Sequence, residues 1–321
     1  MSNIDWSAIR EKAMGPFQLS VLPPTLELPA LPHAVAAFLD RSRDEQTEMR
    51  ELSSIIETDS GLTVELLRYA NSSFIGLRTK VRTVLQALSI LGFRQSKLFV
   101  LTSGAQAAIR SRKSKLIHQA SFWNTSLQRA LFAREVARLL GADEDGAFAG
   151  AVMQDFLLPV LTNDLFDRYA PFTSDRVAQP DGLDEYEQRE FGWDHALIAA
   201  GLATRWKLPD DLICGILMHH KGLRLLADPI LRRTSVAAIA ISSLLPDGLR
   251  QQYSGLDQLV LLETKWSAFK LAEIIQKVDT AHQALGLGVR NDYPLSRICR
   301  TALEHSVVPE LSQQVASQLP A

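Results

Sequence analysis

Three histidines and one aspartate near the middle of the chain are the side chains best suited to metal or acid–base chemistry. They are Asp155, His195, His219 and His220. Imidazole and carboxylate groups are good ligands for zinc, iron and manganese. His195 begins one predicted helix and His219–His220 end the next, so a short connection would bring the three histidines together. Adjacent helical residues point about 100° apart, so one site could use both His219 and His220 only along a single helix edge.

The same residues also fit a structural role. An inward-facing histidine needs only one or two hydrogen-bond partners, which the backbone or Asp155 could supply. Gln154, next to Asp155, fits a buried polar network that locks its helix and binds nothing. We favour this role, and therefore predict no cofactor and no metal. A residual single ion, if one binds, is expected on Asp155, His195, His219 and His220.

Other kinds of catalytic site find little support. The chain has no glycine-rich phosphate loop and no Gly-x-Ser-x-Gly elbow. Its two cysteines, Cys214 and Cys299, exclude a disulfide framework and a cysteine-rich zinc module. Cys214 precedes His219 by five residues, which puts the two on different helix faces, so it is expected to be packed core.

Length and composition favour a folded protein in the cytoplasm. The chain has 321 residues, 46% of them hydrophobic, and a net charge of −2. This excludes wholesale disorder and gives no global charge that would favour nucleic acid or a membrane. No apolar run reaches the roughly 18 residues of a membrane span, and the N-terminus lacks the pattern of a secretory signal.

Apolar residues recur with helical periodicity along most of the chain, and strand-type alternation is rare, so we predict an all-α protein. A basic stretch at 110–115 is interpreted as a hinge between two lobes. The other predicted segments are a short helix at 5–13, a helix from Trp123 stopped by Gly141, a buried helix at 147–158, a polar loop at 169–186, helices opened by Asp194 and by Pro209, a helix from Pro229 to Leu245, a final long helix at 266–285 and a loose tail after Ser306.

Four motifs in the N-terminal half, in order, resemble those of HDOD domains. They are LPALP at 28–32, IIETDSGL at 55–62, LLRYANSSF at 66–74 and QALSILG at 86–92. HDOD domains are non-catalytic relatives of the HD metal-dependent phosphohydrolases, found in bacterial signalling proteins. Ser60 stands where the family usually has proline, a change that still allows a helix start. The matching motif positions are Asp59, Ala70, Asn71, Ser72, Gln86, Leu91 and Gly92.

The resemblance implies a two-lobed helical bundle with further helices after it. The HDOD domain is expected at 28–226, divided into an N-terminal lobe at 28–115 and an HD-like lobe at 116–226. Residues 1–27 would form a lead-in. Residues 227–321 would form a helical extension that packs on the HD-like lobe.

The second half is similar to an HD core whose functional positions have largely changed. Thr125 stands at a metal-binding histidine of catalytic HD proteins, and Gln154 replaces the histidine of the His-Asp pair while Asp155 remains. Two leucines, 157 and 158, replace the glycine and lysine that follow. The closing aspartate should fall near 238–241, where the sequence is Ala-Ile-Ala-Ile. His195, His219 and His220 match retained positions, so the resemblance implies residual HD-site positions without catalysis.

Charge is unevenly distributed along the chain. Between Arg78 and Arg138 there are twelve Arg or Lys residues and one acid, Glu135, whereas acids predominate from Asp143 to Glu190. Such a block can mark a nucleic-acid surface. Basic residues at helical spacing more often form solvated faces, and the two blocks could also face each other across the lobes.

Three functions therefore remain open. The first is a non-enzymatic signal-transduction or regulatory module that acts through a protein partner or a small ligand, such as a nucleotide. The second is a degenerate metal-dependent phosphohydrolase acting on nucleotides or cyclic dinucleotides. The third is a regulator that binds nucleic acid through the basic block. The depleted metal set favours the first.

Overall fold

The computed structural model describes residues 4–44, 46–174, 182–246, 249, 254–285, 291–304 and 309–319, and these form helices joined by turns, with no strand among them. The all-α prediction is confirmed. The helices are α1 (Trp6–Met14), α2 (His33–Arg41), α3 (Met49–Glu57), α4 (Ser60–Ala70), α5 (Val84–Ile109), α6 (Gln119–Leu140), α7 (Glu144–Met153), α8 (Leu158–Asp164), α9 (Phe166–Ser174), α10 (Leu183–Phe191), α11 (His195–Arg205), α12 (Asp210–Met218), α13 (Ser235–Ser242), α14 (Ser254–Lys265), α15 (Leu271–Leu285), α16 (Leu295–Glu304) and α17 (Pro309–Ser317), with 3₁₀ turns at Leu19–Val21 and His219–Ala227.

The segment expected to form the N-terminal lobe, residues 28–115, contains α2 to α5, and the HDOD motif positions build its turns. The Asp59 side chain caps α4 by accepting from the Leu62 amide at 3.0 Å. Asn71 closes the loop after α4, because its side chain exchanges two 2.8 Å hydrogen bonds with the backbone of Val81. Gly92 has φ +76°, a left-handed conformation that kinks α5 at this point.

The remaining motif positions are also structural. The Ser72 hydroxyl donates to the Tyr69 carbonyl at 2.7 Å, and Gln86 accepts from the Arg82 amide at 3.1 Å in front of α5. Ala70 and Leu91 are buried in the core. These residues shape the lobe and its turns.

The HD-like lobe is assembled around α6. This helix ends at Gly141, which adopts the left-handed C-cap conformation that the sequence predicted. Its apolar stripe was expected on one face only, but residues 126–134 are all buried. Helices α7 and α13 pack on it, as does α15 of the C-terminal extension. The face left for solvent is therefore narrow, which explains how even Arg129 comes to be buried.

Helices α7, α12 and α13 meet closely at two glycines, Gly150 and Gly215. A Cβ added to Gly150 or Gly215 would lie 2.3 or 2.4 Å from the Ile239 side chain. Helix α13 is buried along its whole length. It carries the Ala-Ile-Ala-Ile segment, so the place where the resemblance put a closing aspartate is filled with packed hydrocarbon.

Several predicted boundaries are wrong. The helix at 147–158 is interrupted, since α7 ends at Met153 and Gln154–Leu157 form a turn before α8. The loop predicted at 169–186 is helical at both ends, in α9 and α10, while 175–181 lie outside the described residues. Tertiary packing of Tyr169 and Phe172 overrides the polar composition and Pro171.

The C-terminal predictions also need correction. The helix expected from Pro229 begins only at Ser235, because residues 229–233 form a turn held by the Asp228 carboxylate. The helix expected at 266–285 begins at Leu271 and is not the last. The tail after Ser306, expected to be loose, contains α17, which buries Val315 and Ala316.

The lead-in is joined to the HD-like lobe. Helix α1 packs against α11 and α12. Arg10 forms an ion pair with Asp210, and Cys214 is buried beneath this contact, its thiol 3.7 Å from the Trp6 carbonyl oxygen. Burial raises the pKa of Cys214 to about 12, so the thiol stays protonated, as expected for a core residue.

Among the described helices, one has the length and the apolar composition needed to cross a membrane, and it is α5. The sequence analysis had found no such run. Its contacts with α3, α4 and α7 are those of a core helix, which passes the same test.

Part of the basic block pairs with the acidic block. Arg94 pairs with Asp143, Arg134 with Asp145 at 2.9 Å, and Arg138 with Glu144 at 2.7 Å. Charges that are separated in the sequence therefore form ion pairs in the fold. These pairs leave fewer of the basic residues free to contact nucleic acid.

Candidate functional site

The structure brings the four suspected donors together. Asp155 lies in the turn after α7, His195 is the first residue of α11, and His219 and His220 follow α12 in a 3₁₀ turn. One donor atom from each lies within 4.8 Å of every other. The Asp155 Oδ1 lies 3.2 Å from His195 Nε2 and 3.3 Å from His219 Nε2.

The three imidazoles also lie against one another. The Nε2 atom of His195 is 3.3 Å from that of His219 and 2.9 Å from that of His220. His195 and His219 are fully buried, while His220 retains 18% exposure of its side chain. His219 and His220 were expected at the end of the helix opened by Pro209. The change to a 3₁₀ turn at Met218 is what lets both rings reach one centre.

Outer hydrogen bonds orient two of the rings. The Nδ1 of His219 donates to the Ile216 carbonyl at 2.6 Å, and the Nδ1 of His195 donates to Glu187 at 2.6 Å. In the neutral rings each Nε2 then presents a lone pair to the centre. A carboxylate or carbonyl behind a histidine is the usual support of a metal ligand.

Glu187 is a central member of this site that the sequence analysis missed. It is fully buried in α10, and it also accepts from the His195 amide at 2.8 Å and from the Tyr169 hydroxyl at 2.6 Å. The negative charge raises the pKa of Tyr169, with burial as the larger cause. Glu187 is one of five acids between 181 and 190, so nothing in the local sequence distinguishes it.

Arg129 is the second residue that the sequence analysis missed as part of the site. Its buried guanidinium pairs with Asp155 Oδ2 and donates to the Leu245 carbonyl at 2.7 Å. It lies one helical turn after Thr125, and both line a small cavity of about 310 Å³ with Asp155 and Leu158. In the sequence, Arg129 is one of the residues of the basic block, and nothing distinguishes it from the others.

The electrostatics of the cluster follow from burial and these partners. Burial disfavours a charge on Asp155, but Arg129 and the hydrogen bonds from His195 and His219 hold the pKa of its carboxyl well below the usual range. Burial likewise disfavours His195⁺, but Glu187 and Asp155 raise its pKa well above the ordinary value. Burial and the two neighbouring histidines lower the pKa of His220.

The donor set fits one metal ion. With metal–nitrogen bonds of about 2.0–2.1 Å, the ligand atoms of a tetrahedral site lie roughly 3.3–3.4 Å apart. Four of the six separations among the donor atoms are 2.9 to 3.3 Å, close to this value, and all six are within 4.8 Å. Asp155, His195, His219 and His220 would be the ligands, as the sequence analysis placed them.

A second ion does not fit beside the first. The Arg129 guanidinium pairs with Asp155 Oδ2, so this carboxylate oxygen would not be free to bind a further cation. Gln154 turns its amide nitrogen to the same oxygen at 3.4 Å, and Ser242 of α13 donates to the Gln154 carbonyl oxygen at 3.5 Å. Gln154 thus belongs to a buried polar network, as predicted, and Thr125 offers only a hydroxyl.

Comparison with known proteins agrees with this architecture. The model of the HDOD domain family matches residues 28–222. A curated relative from Treponema pallidum, described as an uncharacterized protein, is 22% identical over 199 residues, which are 60% of this chain. The chain spans 38% of that relative's length.

Solved structures show the same fold. An HDOD domain protein of unknown function from Geobacter sulfurreducens is 20% identical, with a TM-score of 0.61 and coverage of 98% and 100% of the two chains. A Shewanella amazonensis protein provisionally named a phosphohydrolase is 22% identical, with a TM-score of 0.59 and coverage of 95% and 100%. A Marinobacter aquaeolei protein provisionally named a signal transduction protein is 20% identical, with a TM-score of 0.58 and coverage of 89% and 65%. With the family model matched over more than half of its length, the chain belongs to the HDOD family.

Proposed function

We propose that this chain is a non-catalytic regulatory protein of the cytoplasm, which acts by binding a protein partner or a small ligand. The observation that carries the proposal is the buried pair of Arg129 and Asp155. A fixed guanidinium pairs with one carboxylate oxygen of Asp155, so that oxygen is not free for a second cation.

The reaction of an HD hydrolase sets demands that these residues do not meet. Hydrolysis of a phosphoester by a two-metal centre needs ligands on both sides of a bridging carboxylate and open positions for water and substrate. Thr125 and Gln154 supply neutral groups, and α13 supplies no carboxylate at 238–241. Leu158 is apolar, so it gives no positive charge to stabilise a developing phosphate charge.

An assay of phosphoester hydrolysis tests the proposal. The full chain is incubated with bis(p-nitrophenyl) phosphate, cyclic di-GMP and ATP, each with Mg²⁺, Mn²⁺, Fe²⁺ or Zn²⁺. We expect no turnover above that of a His219→Ala variant purified in the same way. Turnover by the unaltered chain that this variant loses would overturn the proposal.

The positive side of the proposal needs a binding experiment. Crosslinking in cells followed by mass spectrometry is expected to identify a specific partner of the tagged chain. The same experiment without crosslinker, and with a tagged unrelated helical protein, provides the controls. Consistent absence of any enriched partner, together with no small-ligand binding, would contradict a contact-based role.

A degenerate phosphohydrolase is the second candidate, and the convergence of four oriented donor atoms favours it. One stoichiometric transition metal together with turnover would select it over the regulatory role. The ion pairing of the basic block favours neither, but it disfavours the nucleic-acid alternative. That alternative requires affinity that falls steeply with salt, which a titration of DNA and RNA at 50 and 200 mM salt would reveal.

A further inference from the structure

A cleft between the two lobes lies apart from the histidine cluster and shares no residue with it. Its N-terminal wall comes from α5 and from the end of α2, and its other wall from the turn before α12 and the starts of α7 and α13. The cleft has a volume of about 120 Å³ and is open to solvent on one side. Pockets for small ligands commonly lie between domains or lobes.

The cleft is lined by more positive than negative charge. Arg43 and Lys97 come from the N-terminal side, and Lys207 comes from the opposite side. Arg94 also lines it, but it is paired with Asp143. Asp211 is the acid in the lining, and burial raises the pKa of its carboxyl, which favours its neutral form.

Two of these cations have no acidic partner in the described parts of the chain. Neither Lys97 nor Lys207 has a carboxylate within 4 Å there, and Lys97 approaches only the Phe93 ring, at 6.0 Å. Burial, and then the nearby charge of Arg43, lower the pKa of Lys97. Arg43 pairs with Asp40 at 3.0 Å on the outer side of the cleft, whereas the two lysines add positive charge that an anion would stabilise.

The C-terminal cap of α11 lies at the same place. Lys207 has φ +55°, and its amide donates to the Thr204 carbonyl at 2.8 Å while the Leu208 amide donates to the Ala203 carbonyl at 3.0 Å. These are the hydrogen bonds of a Schellman cap, which accounts for the left-handed conformation. The Lys207 carbonyl accepts from Arg43 at 3.3 Å, a contact that joins the two walls of the cleft.

The floor of the cleft is apolar. It is formed by side chains of leucine from both walls, chiefly Leu98, Leu101 and Leu208. A bare inorganic anion would use the charged rim and leave this floor uncovered. A ligand with a charged end and a flat or apolar body would use both.

We propose that this cleft binds a mononucleotide, with its phosphate held by Arg43, Lys97 and Lys207 and its nucleoside on the leucine floor. A phosphate carries about two negative charges and several acceptor oxygens, which matches a set of three cations better than a single carboxylate would. Because the cations come from both lobes, the ligand would stabilise their docking. The regulatory role of this binding rests on the proposed function. The binding itself does not depend on that function.

Calorimetric titration of the full chain measures the contributions of the phosphate and of the nucleoside separately. The probes are AMP, adenosine and inorganic phosphate in a low-salt buffer free of phosphate. We expect AMP to bind, and adenosine and phosphate to bind at least about tenfold more weakly, since each lacks one set of contacts. No heat from AMP at millimolar concentration would overturn the proposal, and so would equal affinities of AMP and phosphate, which would indicate an ion site only.

Variants locate the binding. Lys97→Gln and Lys207→Asn each remove one charge, and asparagine tolerates the left-handed backbone at 207. Each is expected to weaken AMP at least about tenfold, the loss typical of one charge-assisted hydrogen bond. Lys270→Gln, at an exposed lysine outside the cleft, is the matched control and should bind as the unaltered chain does. Unchanged affinity in both cleft variants, with circular dichroism showing intact helices, would place the nucleotide elsewhere.

These results stay separable from those for the proposed function. Failure of AMP to bind would leave the absence of hydrolysis untouched, because the cleft and the histidine cluster have no residue in common. Hydrolysis that depends on His219 would in turn leave the nucleotide site standing.

Discussion

Arg129 and Asp155 form a buried ion pair between the middle of α6 and the turn after α7. The side chains retain 3% and 7% exposure, so water screens the pair little. The guanidinium also reaches the Leu245 carbonyl, which ties α6 to the segment after α13. The pair therefore fixes the charge of Asp155, and Arg129 connects α6 and the turn after α7 to the C-terminal extension.

Removing one partner of this pair should be costly. Arg129→Met keeps most of the side-chain volume but leaves the Asp155 charge buried without its cation. Loss of one partner of a buried pair typically costs about 3–5 kcal/mol. We expect a decrease of this size in the free energy of unfolding, measured by urea denaturation.

A control and a second variant make this test specific. Arg110→Met disrupts an exposed pair with Glu65 and should cost less than about 1 kcal/mol. Adding Asp155→Asn to Arg129→Met removes the orphaned charge and should recover part of the loss. If Arg129→Met is no more harmful than Arg110→Met, the pair does not stabilise the lobe.

Tyr169, Glu187 and His195 should behave as one unit. Tyr169→Phe removes the 2.6 Å hydrogen bond to Glu187, and Glu187→Gln removes the negative charge that accepts this hydrogen bond. Each change should lower the free energy of unfolding by roughly 1–3 kcal/mol. The double variant should cost measurably less than the sum of the single ones, because both remove the same interaction. Additive losses in this double-mutant cycle would show that the contacts are independent.

Metal content should not exceed one ion per chain. Elemental analysis after growth with zinc, iron and manganese is expected to give at most one equivalent, since Arg129 blocks a second position. Any bound metal should disappear in His219→Ala and persist in His33→Ala, an exposed histidine far along the chain from the cluster. Two equivalents in the unaltered chain would contradict the assignment of Arg129.

The sequence predicted features whose cause is local. Asp59 and Asp194 cap their helices, and Gly141 ends α6, because capping depends on a few neighbouring residues. Glu187 and Arg129 could not be found this way. Their roles arise from partners 8 and 26 residues away, His195 and Asp155.

The same reasoning explains the correct and incorrect parts of the site. The four donors were identified by residue type, and the HDOD resemblance added their correspondence to an HD core. The geometry at His219 depends on α12 ending in a 3₁₀ turn, where Ser243 of the segment after α13 donates to the His219 carbonyl at 2.6 Å. That constraint comes from packing, so periodicity alone extended the helix too far.

The close packing of three helices at Ile239 should make Gly150 intolerant of a side chain. In Gly150→Ala the new methyl group would lie 2.3 Å from the Ile239 side chain, so either that side chain or α7 must move. Overpacking of this kind typically costs about 1–3 kcal/mol. Gly61→Ala, where the nearest atom is 3.3 Å away on the Asp59 side chain, is the milder control. Thermal unfolding should show a clearly lower Tm for the first variant, and equal values would mean that the contact can relax.

His282 should make stability depend on pH. It is buried in α15, its Nε2 has no hydrogen-bond partner among the described residues, and burial lowers its pKa below the ordinary 6.5. Below about pH 6.5 the unfolded chain binds a proton that the folded chain does not. The free energy of unfolding should therefore fall as the pH decreases from 6.5, by at most about 1.4 kcal/mol per pH unit for this one group, until the folded histidine also titrates.

Comparison of two variants isolates that contribution, since other histidines also titrate. His282→Gln removes the group and should flatten the decline in the free energy of unfolding between pH 7.5 and 5.5. His33→Gln changes an exposed histidine and serves as the matched control. Urea denaturation at several pH values gives both profiles. If the free energy of unfolding of His282→Gln falls as steeply with decreasing pH as that of the unaltered chain, the burial of a neutral imidazole at 282 is contradicted. In that case the unfolded state gains no proton at this position that the folded state lacks.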